Sequence, residues 1–215
     1  QVLTEKPTLT FITTPNNPTG SVVKIFEIVE LAKATASIGG LLVVDEAYAE
    51  FSSEISAVTL IAQYPNVIVI RTMSKAFAFA GARLGYLIAD PAVIDALQLV
   101  RLPYHLSAIT QAVAEVALSF SDELLAGVDT LIAQREIVQA GLGKLGLTIT
   151  PSAANFLLFG GFNQPADQLW RKLLDRGILI RDVGLLGQLR VTIGTAAENQ
   201  AFLSALTEVL AEGDK

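Results

Sequence analysis

Lys75 is the residue of this sequence best placed for covalent chemistry. It closes the run Arg71-Thr72-Met73-Ser74-Lys75, just beyond an apolar stretch at 67–70. An amine leaving a buried strand can be desolvated into its neutral form, a nucleophile that makes Schiff bases with carbonyl groups. The hydroxyls of Thr72 and Ser74 and the guanidinium of Arg83, inside Gly81-Ala82-Arg83-Leu84-Gly85, suit a phosphate group. The plainer reading is a solvated loop lysine, but the neighbouring hydroxyls, arginine and glycines weigh against it. Three further loops carry candidates. Asp45 ends the apolar run 41–44, in Asp45-Glu46-Ala47-Tyr48. A carboxylate there is costly to bury without a partner, and a protonated ring nitrogen is one such partner. A helix N-cap is the plainer alternative. The turn Thr14-Pro15-Asn16-Asn17-Pro18-Thr19-Gly20 is stiffened by two prolines and presents the Asn17 amide; it reads equally as an ordinary surface turn. Arg190, within the apolar Leu189-Arg190-Val191-Thr192-Ile193, needs an anion or a structural ion pair.

These loops must be held by strands, because ligands in open α/β sheets bind beyond the carboxyl ends of the strands. Short apolar runs alternate with helical patterns, which predicts βα units and a mainly parallel sheet. Strands are expected at 8–13, 41–44, 67–71 and 84–89. Ile25, Ile28, Val29 and Ala32 follow helical spacing. Asp90-Pro91 reads as an N-cap followed by proline at the first helical position. After about residue 105 the pattern turns helical, through 108–145 with a break near 119–122. Short strands are then expected at 147–150, 155–159, 178–180 and 189–193, with helices over 166–175 and 197–210. Thr195 and Glu198 have the spacing of a capping box for the last helix. The organisation predicted is a large α/β domain over residues 1–113 and a smaller α+β domain over 114–215.

Composition narrows the function classes. Hydrophobic residues make up 52% and charged residues 17%, which supplies a substantial core and argues against disorder. A net charge of -6 argues against a nucleic-acid partner. With no cysteine there is no disulfide framework and no thiolate metal site, and no metal is expected. No apolar run approaches the roughly 18 residues that would suggest a membrane span. The sequence opens at Gln1 and enters a strand pattern within a few residues, which reads as the C-terminal portion of a longer chain.

Taken together, Asn16-Asn17-Pro18-Thr19-Gly20, Asp45-Glu46-Ala47-Tyr48, Ser74-Lys75-Ala76-Phe77, Gly81-x-Arg83-x-Gly85 and Arg190 resemble the fold-type I aminotransferases, in order and spacing over nearly the whole chain. Within that group the resemblance is to the histidinol-phosphate aminotransferase family. It is carried by Arg71-Thr72-Met73-Ser74-Lys75-Ala76-Phe77, Leu102-Pro103-Tyr104-His105-Leu106-Ser107 and Arg181-Asp182.

The resemblance implies pyridoxal 5'-phosphate (PLP) as cofactor, held as a Schiff base by Lys75, whose freed amine then moves the substrate proton. It implies that Asp45 pairs with the ring nitrogen, Tyr48 and Asn17 with the phenolic oxygen, and Thr72, Ser74 and Arg83 with the phosphate. Arg190 is expected to grip the anionic group attached to the substrate Cα, and Tyr104 and Arg181 the substrate phosphate. His105 is read as structural. The activity implied is amino transfer between L-histidinol phosphate and 2-oxoglutarate in histidine biosynthesis, in a cytoplasmic homodimer. The family's glycine-rich helix start and its N-terminal tyrosine are not in this sequence, so residues 1–215 alone are expected to bind PLP poorly and to expose apolar sheet surface. The rival readings are an aromatic amino-acid aminotransferase, a phosphothreonine-type decarboxylase, and the non-catalytic PLP-binding domain of a transcriptional regulator.

Overall fold

Strands form where β-branched and aliphatic residues run together, and their two-residue alternation decides what each face touches. The computed structural model describes residues 1–213 and divides into two units. The first comprises Gln1–Pro15 and Val22–Gly127, the second Asn16–Ser21 and the chain from Val128 onward. Helix α1 (Val2–Glu5) leads into strand β1 (Leu9–Thr13). Helix α2 (Ile25–Ser37), strand β2 (Leu41–Asp45), strand β3 (Val67–Thr72), strand β4 (Gly85–Ile88) and helices α3 (Pro91–Val100) and α4 (Ala108–Ser119) follow. The sheet order is β1-β2-β3-β4. The first two pairings are parallel, as the alternation of strands and helices predicts, and β4 returns antiparallel.

Register assigns the faces. Thr13 pairs with Asp45, and Asp45 with Ile70, so Asp45 lies on the face of Leu9, Phe11, Val43 and Ile68. The opposite face carries Leu42, Val44, Val67 and Val69, which pack on Ile28 and Ala32 of α2 and on Leu60. Each fully buried aliphatic side chain of that kind contributes about 1.5–3 kcal/mol. The Asp45 face is more open. Its upper strands and α3 line an apolar groove of about 600 Å³, and Phe11 is 65% exposed. At the start of α3, Asp90 accepts from the Ala92 amide at 2.9 Å with Pro91 behind it, as its sequence predicts.

Helix α5 (Ser121–Lys144) follows α4 after the break expected near 119–122, and contains the division between the units. The units divide at Gly127–Val128, inside this continuous helix, where composition offers no linker to mark the passage. The second unit has strands β5 (Thr148–Ile149), β6 (Phe156–Gly160), β7 (Arg181–Asp182) and β8 (Gln188–Thr192), with helices α6 (Ala166–Asp175) and α7 (Ala196–Gly213). Its sheet runs β5-β6-β8-β7 and is antiparallel throughout. Leu157, Phe159, Leu189 and Val191 face a core closed by Val138, Leu142, Leu169, Phe202 and Leu206. The capping box is present: Glu198 Oε2 accepts from Thr195 N at 2.7 Å, and Thr195 Oγ1 accepts from Glu198 N at 3.3 Å. The carboxylate's bonds, to the Thr195 amide first and its hydroxyl second, hold the Glu198 carboxyl below its ordinary range.

The strand predicted at 178–180 is displaced. Ladder pairing starts only at Arg181, while Ile178 N caps α6 through Leu173 O at 2.9 Å and Ile180 O accepts from Trp170 Nε1 at 3.0 Å. Those backbone groups are satisfied without a neighbouring strand.

Candidate active site

The turn after β3 shows why Lys75 projects. Met73, Ala76 and Phe77 are buried and anchor the turn, which leaves Lys75 outside. Met73 N donates to Leu84 O at 3.1 Å, Phe79 N to Met73 O at 3.0 Å, and Ala78 N to Lys75 O at 3.0 Å. Ala78 and Arg83 both have left-handed backbones, with φ of 53° and 55°. Non-glycine residues hold such values only where their surroundings impose them, and these cluster at functional sites. Lys75 Nζ stands 5.4 Å from the centroid of the buried Tyr48 ring. Among the described residues no carboxylate pairs with it. The Lys75 side chain is exposed.

Asp45 is half-buried at the end of β2, and its Oδ1 accepts from Ala47 N at 3.0 Å. The bond closes a turn rather than capping a helix, since the short helical turn Ala49–Phe51 starts after Tyr48. Among the described residues no cation pairs with the Asp45 carboxylate. Thr72 shares its face but is committed to the turn: its hydroxyl donates to Leu84 O at 3.2 Å and accepts from Ser74 N at 3.1 Å. Ser74 Oγ has no partner among the described residues. Arg83 is exposed, with Nη1 donating to Ala80 O at 3.2 Å.

A buried polar network lies on the other face of these strand ends, and sequence reasoning missed it. Glu46, only 3% exposed, accepts from Arg71 Nη2 at 2.7 Å and Nε at 3.1 Å, from Ser56 Oγ at 2.7 Å and from Ala57 N at 2.6 Å. Arg71 Nη1 also donates to Glu50 Oε1 at 3.3 Å. Burial works against the charge on Arg71, but the hydrogen bond and charge of Glu46, with Glu50, outweigh it and raise its pKa. For Glu50 the balance reverses: burial comes first and raises its pKa, despite Arg71. The fold therefore binds the Glu50 proton more tightly than the unfolded chain does. Stability from this group is present below the ordinary carboxylate range and is lost as pH rises through the raised value. Glu50→Gln is expected to raise the melting temperature at pH 7. The gain should vanish when melting is repeated below pH of about 4, the ordinary glutamate range; an equal gain at both pH values would exclude this cause.

Tyr104 is fully exposed, with φ of 55°, in the irregular segment between α3 and α4. His105 beside it has its Nδ1 3.1 Å from Leu102 O.

In the second unit the Asn16–Ser21 loop includes the cis Asn17-Pro18 bond. Gly20, at φ 77°, lies so close to Ser152 that a Cβ there would meet Ser152 Oγ at 2.0 Å, and Ala153 N donates to Gly20 O at 2.8 Å. The loop so seated places Asn17 Oδ1 on Arg190 Nη1. Arg190 also stacks 4.8 Å from the Phe156 ring centroid. Across the ladder Arg181 is its register partner. Two like charges directly opposite destabilise a sheet unless an anion is shared. Trp170, Leu179, Arg181, Arg190 and Thr192 line a groove of about 380 Å³ there.

The two sets of side chains can do different chemistry. The first offers an amine for a carbonyl and a carboxylate for a protonated ring nitrogen; the second offers paired guanidiniums for anions. No group of three or more metal-ligating residues occurs among the described residues, and none of their helices is long and apolar enough to cross a membrane.

Comparison with known proteins agrees with this chemistry. The family model for aminotransferase class I and II matches residues 1–206. The chain is 56% identical to histidinol-phosphate aminotransferase of Mycolicibacterium smegmatis, over 97% of this chain and 54% of that protein. It spans about half the length of the relatives it matches. Among solved structures, histidinol-phosphate aminotransferase from Sinorhizobium meliloti in complex with pyridoxal-5'-phosphate is similar with a TM-score of 0.87 and 31% identity, over 98% of this chain and 59% of that one. The enzyme of the same name from Clostridium acetobutylicum gives a TM-score of 0.87 and 26% identity, over 97% and 66%. The α/β fold is thus the fold-type I fold of PLP-dependent transferases, and the chain belongs to the aminotransferase class I and II family.

Proposed function

We propose that this chain carries amino-transfer machinery of a histidinol-phosphate aminotransferase, exchanging an amino group between L-histidinol phosphate and 2-oxoglutarate with PLP as cofactor. The observation that carries the reading is Lys75, an exposed amine over the Tyr48 ring with no carboxylate among the described residues to hold it. The donor set fits the cofactor. An aldehyde needs an amine that no ion pair detains, a pyridinium needs an acid that no protein cation neutralises, and a phosphate needs donors such as Ser74 Oγ and Arg83. When bound, PLP supplies an electron-withdrawing ring that makes the Cα proton of an attached amine acidic.

The chain's own residues do the rest. Lys75 Nζ anchors the cofactor, then serves as the base that lifts and returns the proton. Asp45 keeps the ring nitrogen protonated, Tyr48 donates to the phenolic oxygen, and Thr72 holds the turn that presents Ser74. The first unit is read as the large cofactor-binding domain and the second as the smaller one. Within the second unit, Arg190, held by Asn17, takes the anionic group at the substrate Cα, and Arg181 the substrate phosphate. Tyr104 is read as a further contact to the substrate phosphate. A cytoplasmic homodimer completes the proposal.

Arg181→Ala tests the substrate. Loss of one charge-assisted contact, worth about 1.5–3 kcal/mol, is expected to raise KM for histidinol phosphate about 10–100-fold. KM for phenylalanine should change little. Equal losses for both substrates would favour the aromatic aminotransferase, and release of carbon dioxide from phosphothreonine would favour a decarboxylase.

A further inference from the structure

Glu46 takes no part in the chemistry above, yet it sits between two residues that do and is more deeply buried than either. Its neighbour Asp45 points to one face of the sheet, and Glu46 to the other. Arg71 and Thr72 split the same way on β3. The last bond between these strands is Glu46 N to Ile70 O at 2.9 Å. Past that point the Glu46–Arg71 side-chain pair ties the two ends together. The pair is forked, from Nε and Nη2 onto one carboxylate oxygen, and Ser56 bonds both partners: its Oγ donates to Glu46 at 2.7 Å and accepts from Arg71 Nη2 at 2.9 Å. Stability alone is a weak reason for so buried a pair, since apolar residues of equal volume often serve as well. A planar guanidinium on a carboxylate has a directionality that an apolar contact lacks.

We propose that the Glu46–Arg71 pair is a positioning device that fixes the ends of β2 and β3, so that Asp45 and the turn from Thr72 to Lys75 meet the cofactor's ring nitrogen, phosphate and carbonyl carbon in register. The proposal rests on the functional reading above. It makes Glu46 and Arg71 positioning residues, because neither touches the cofactor.

The test uses the full-length protein, stripped of cofactor and titrated with PLP, followed by the visible absorbance of the bound cofactor. Glu46→Gln keeps the shape and removes the charge. It is expected to weaken PLP affinity about tenfold, the low end of what outer-shell partners contribute at metal sites. Because Asp45 sets the charge at the ring nitrogen, the pH midpoint of the visible band should also move, by about half a unit or more. A lower melting temperature with unchanged affinity and midpoint would mean that the pair only stabilises the fold, and would overturn the proposal. If Glu46→Gln does not fold, Arg71→Lys decides. It keeps the charge but loses the fork, so it should still shift the midpoint, and an unchanged midpoint counts against the device. If the wild-type protein itself develops no visible band with PLP, the functional reading fails, a result distinct from a band that all variants share.

Discussion

Lys75→Ala is expected to abolish amino transfer while leaving the fold almost untouched. The rate should fall by about five powers of ten or more, near 7 kcal/mol of barrier at about 1.4 kcal/mol per tenfold. On the proposed function, one side chain carries two roles that would both be lost: the anchor of the cofactor and the base that moves the proton. The structural loss is small by comparison. Lys75 is exposed, pairs with no carboxylate among the described residues, and gives up a contact with the Tyr48 ring, worth about 0.5–1 kcal/mol at an exposed site. Melting curves of the two proteins should therefore nearly overlap. Lys75→Arg should be as inactive as alanine, because a guanidinium keeps its proton and cannot act as an amine. Borohydride reduction of the PLP-loaded protein and peptide mapping should place the label on Lys75. Lys24 and Lys33 are poorer candidates on local grounds: Lys24 is paired with Glu54, and Lys33 is held in its charged form by the hydrogen bond and charge of Glu30. A label on either, or alanine activity within tenfold of wild type, would remove Lys75 from its role.

What the sequence disclosed depended on how far apart the interacting residues lie along the chain. Asp90-Pro91 and Thr195 with Glu198 are local devices, bonded within three residues, and both stand as read. The strands at Leu41–Asp45 and Val67–Thr72 were legible because their apolar runs are buried on both faces. The partnership of Glu46 with Arg71 was not, since the two are 25 residues apart and nothing in either motif pairs them. Arg71 was visible only as a flank of the lysine motif, and Glu46 only as the neighbour of Asp45. The stretch 178–180 misled for the opposite reason: its isoleucines and leucine have strand propensity, but their backbone is used by the end of α6 and by Trp170. The exposure of Lys75 and Tyr104 is a tertiary outcome that residue type alone does not encode. The same holds for the passage between units inside α5, where the helical pattern runs on without a break.

Asp45 gives the second large effect, and here two substitutions separate charge from structure. In the folded chain its Oδ1 accepts from Ala47 N at 3.0 Å and closes the turn toward Tyr48. Asn at this position can accept the same bond, so Asp45→Asn should preserve the turn while removing the negative charge. Asp45→Ala removes both, and adds the loss of one net hydrogen bond, about 0.5–1.5 kcal/mol of stability. Both variants should bind PLP yet leave its ring nitrogen without an anionic partner, since no other carboxylate of the first unit shares this face at the end of β2: Glu46 points the other way and is consumed by Arg71. On the proposed function, Asp45 would hold the ring nitrogen protonated, and its charge would be what preserves the electron-withdrawing power that PLP supplies when bound. The expected loss in transamination rate is on the order of 4 kcal/mol, about a thousandfold, for both substitutions alike. Asp45→Glu, which keeps the charge on a longer arm, should be milder. The ordering is the discriminating result. If asparagine restores most of the rate lost with alanine, the turn rather than the charge is what Asp45 provides, and the ring nitrogen must be held in some other way.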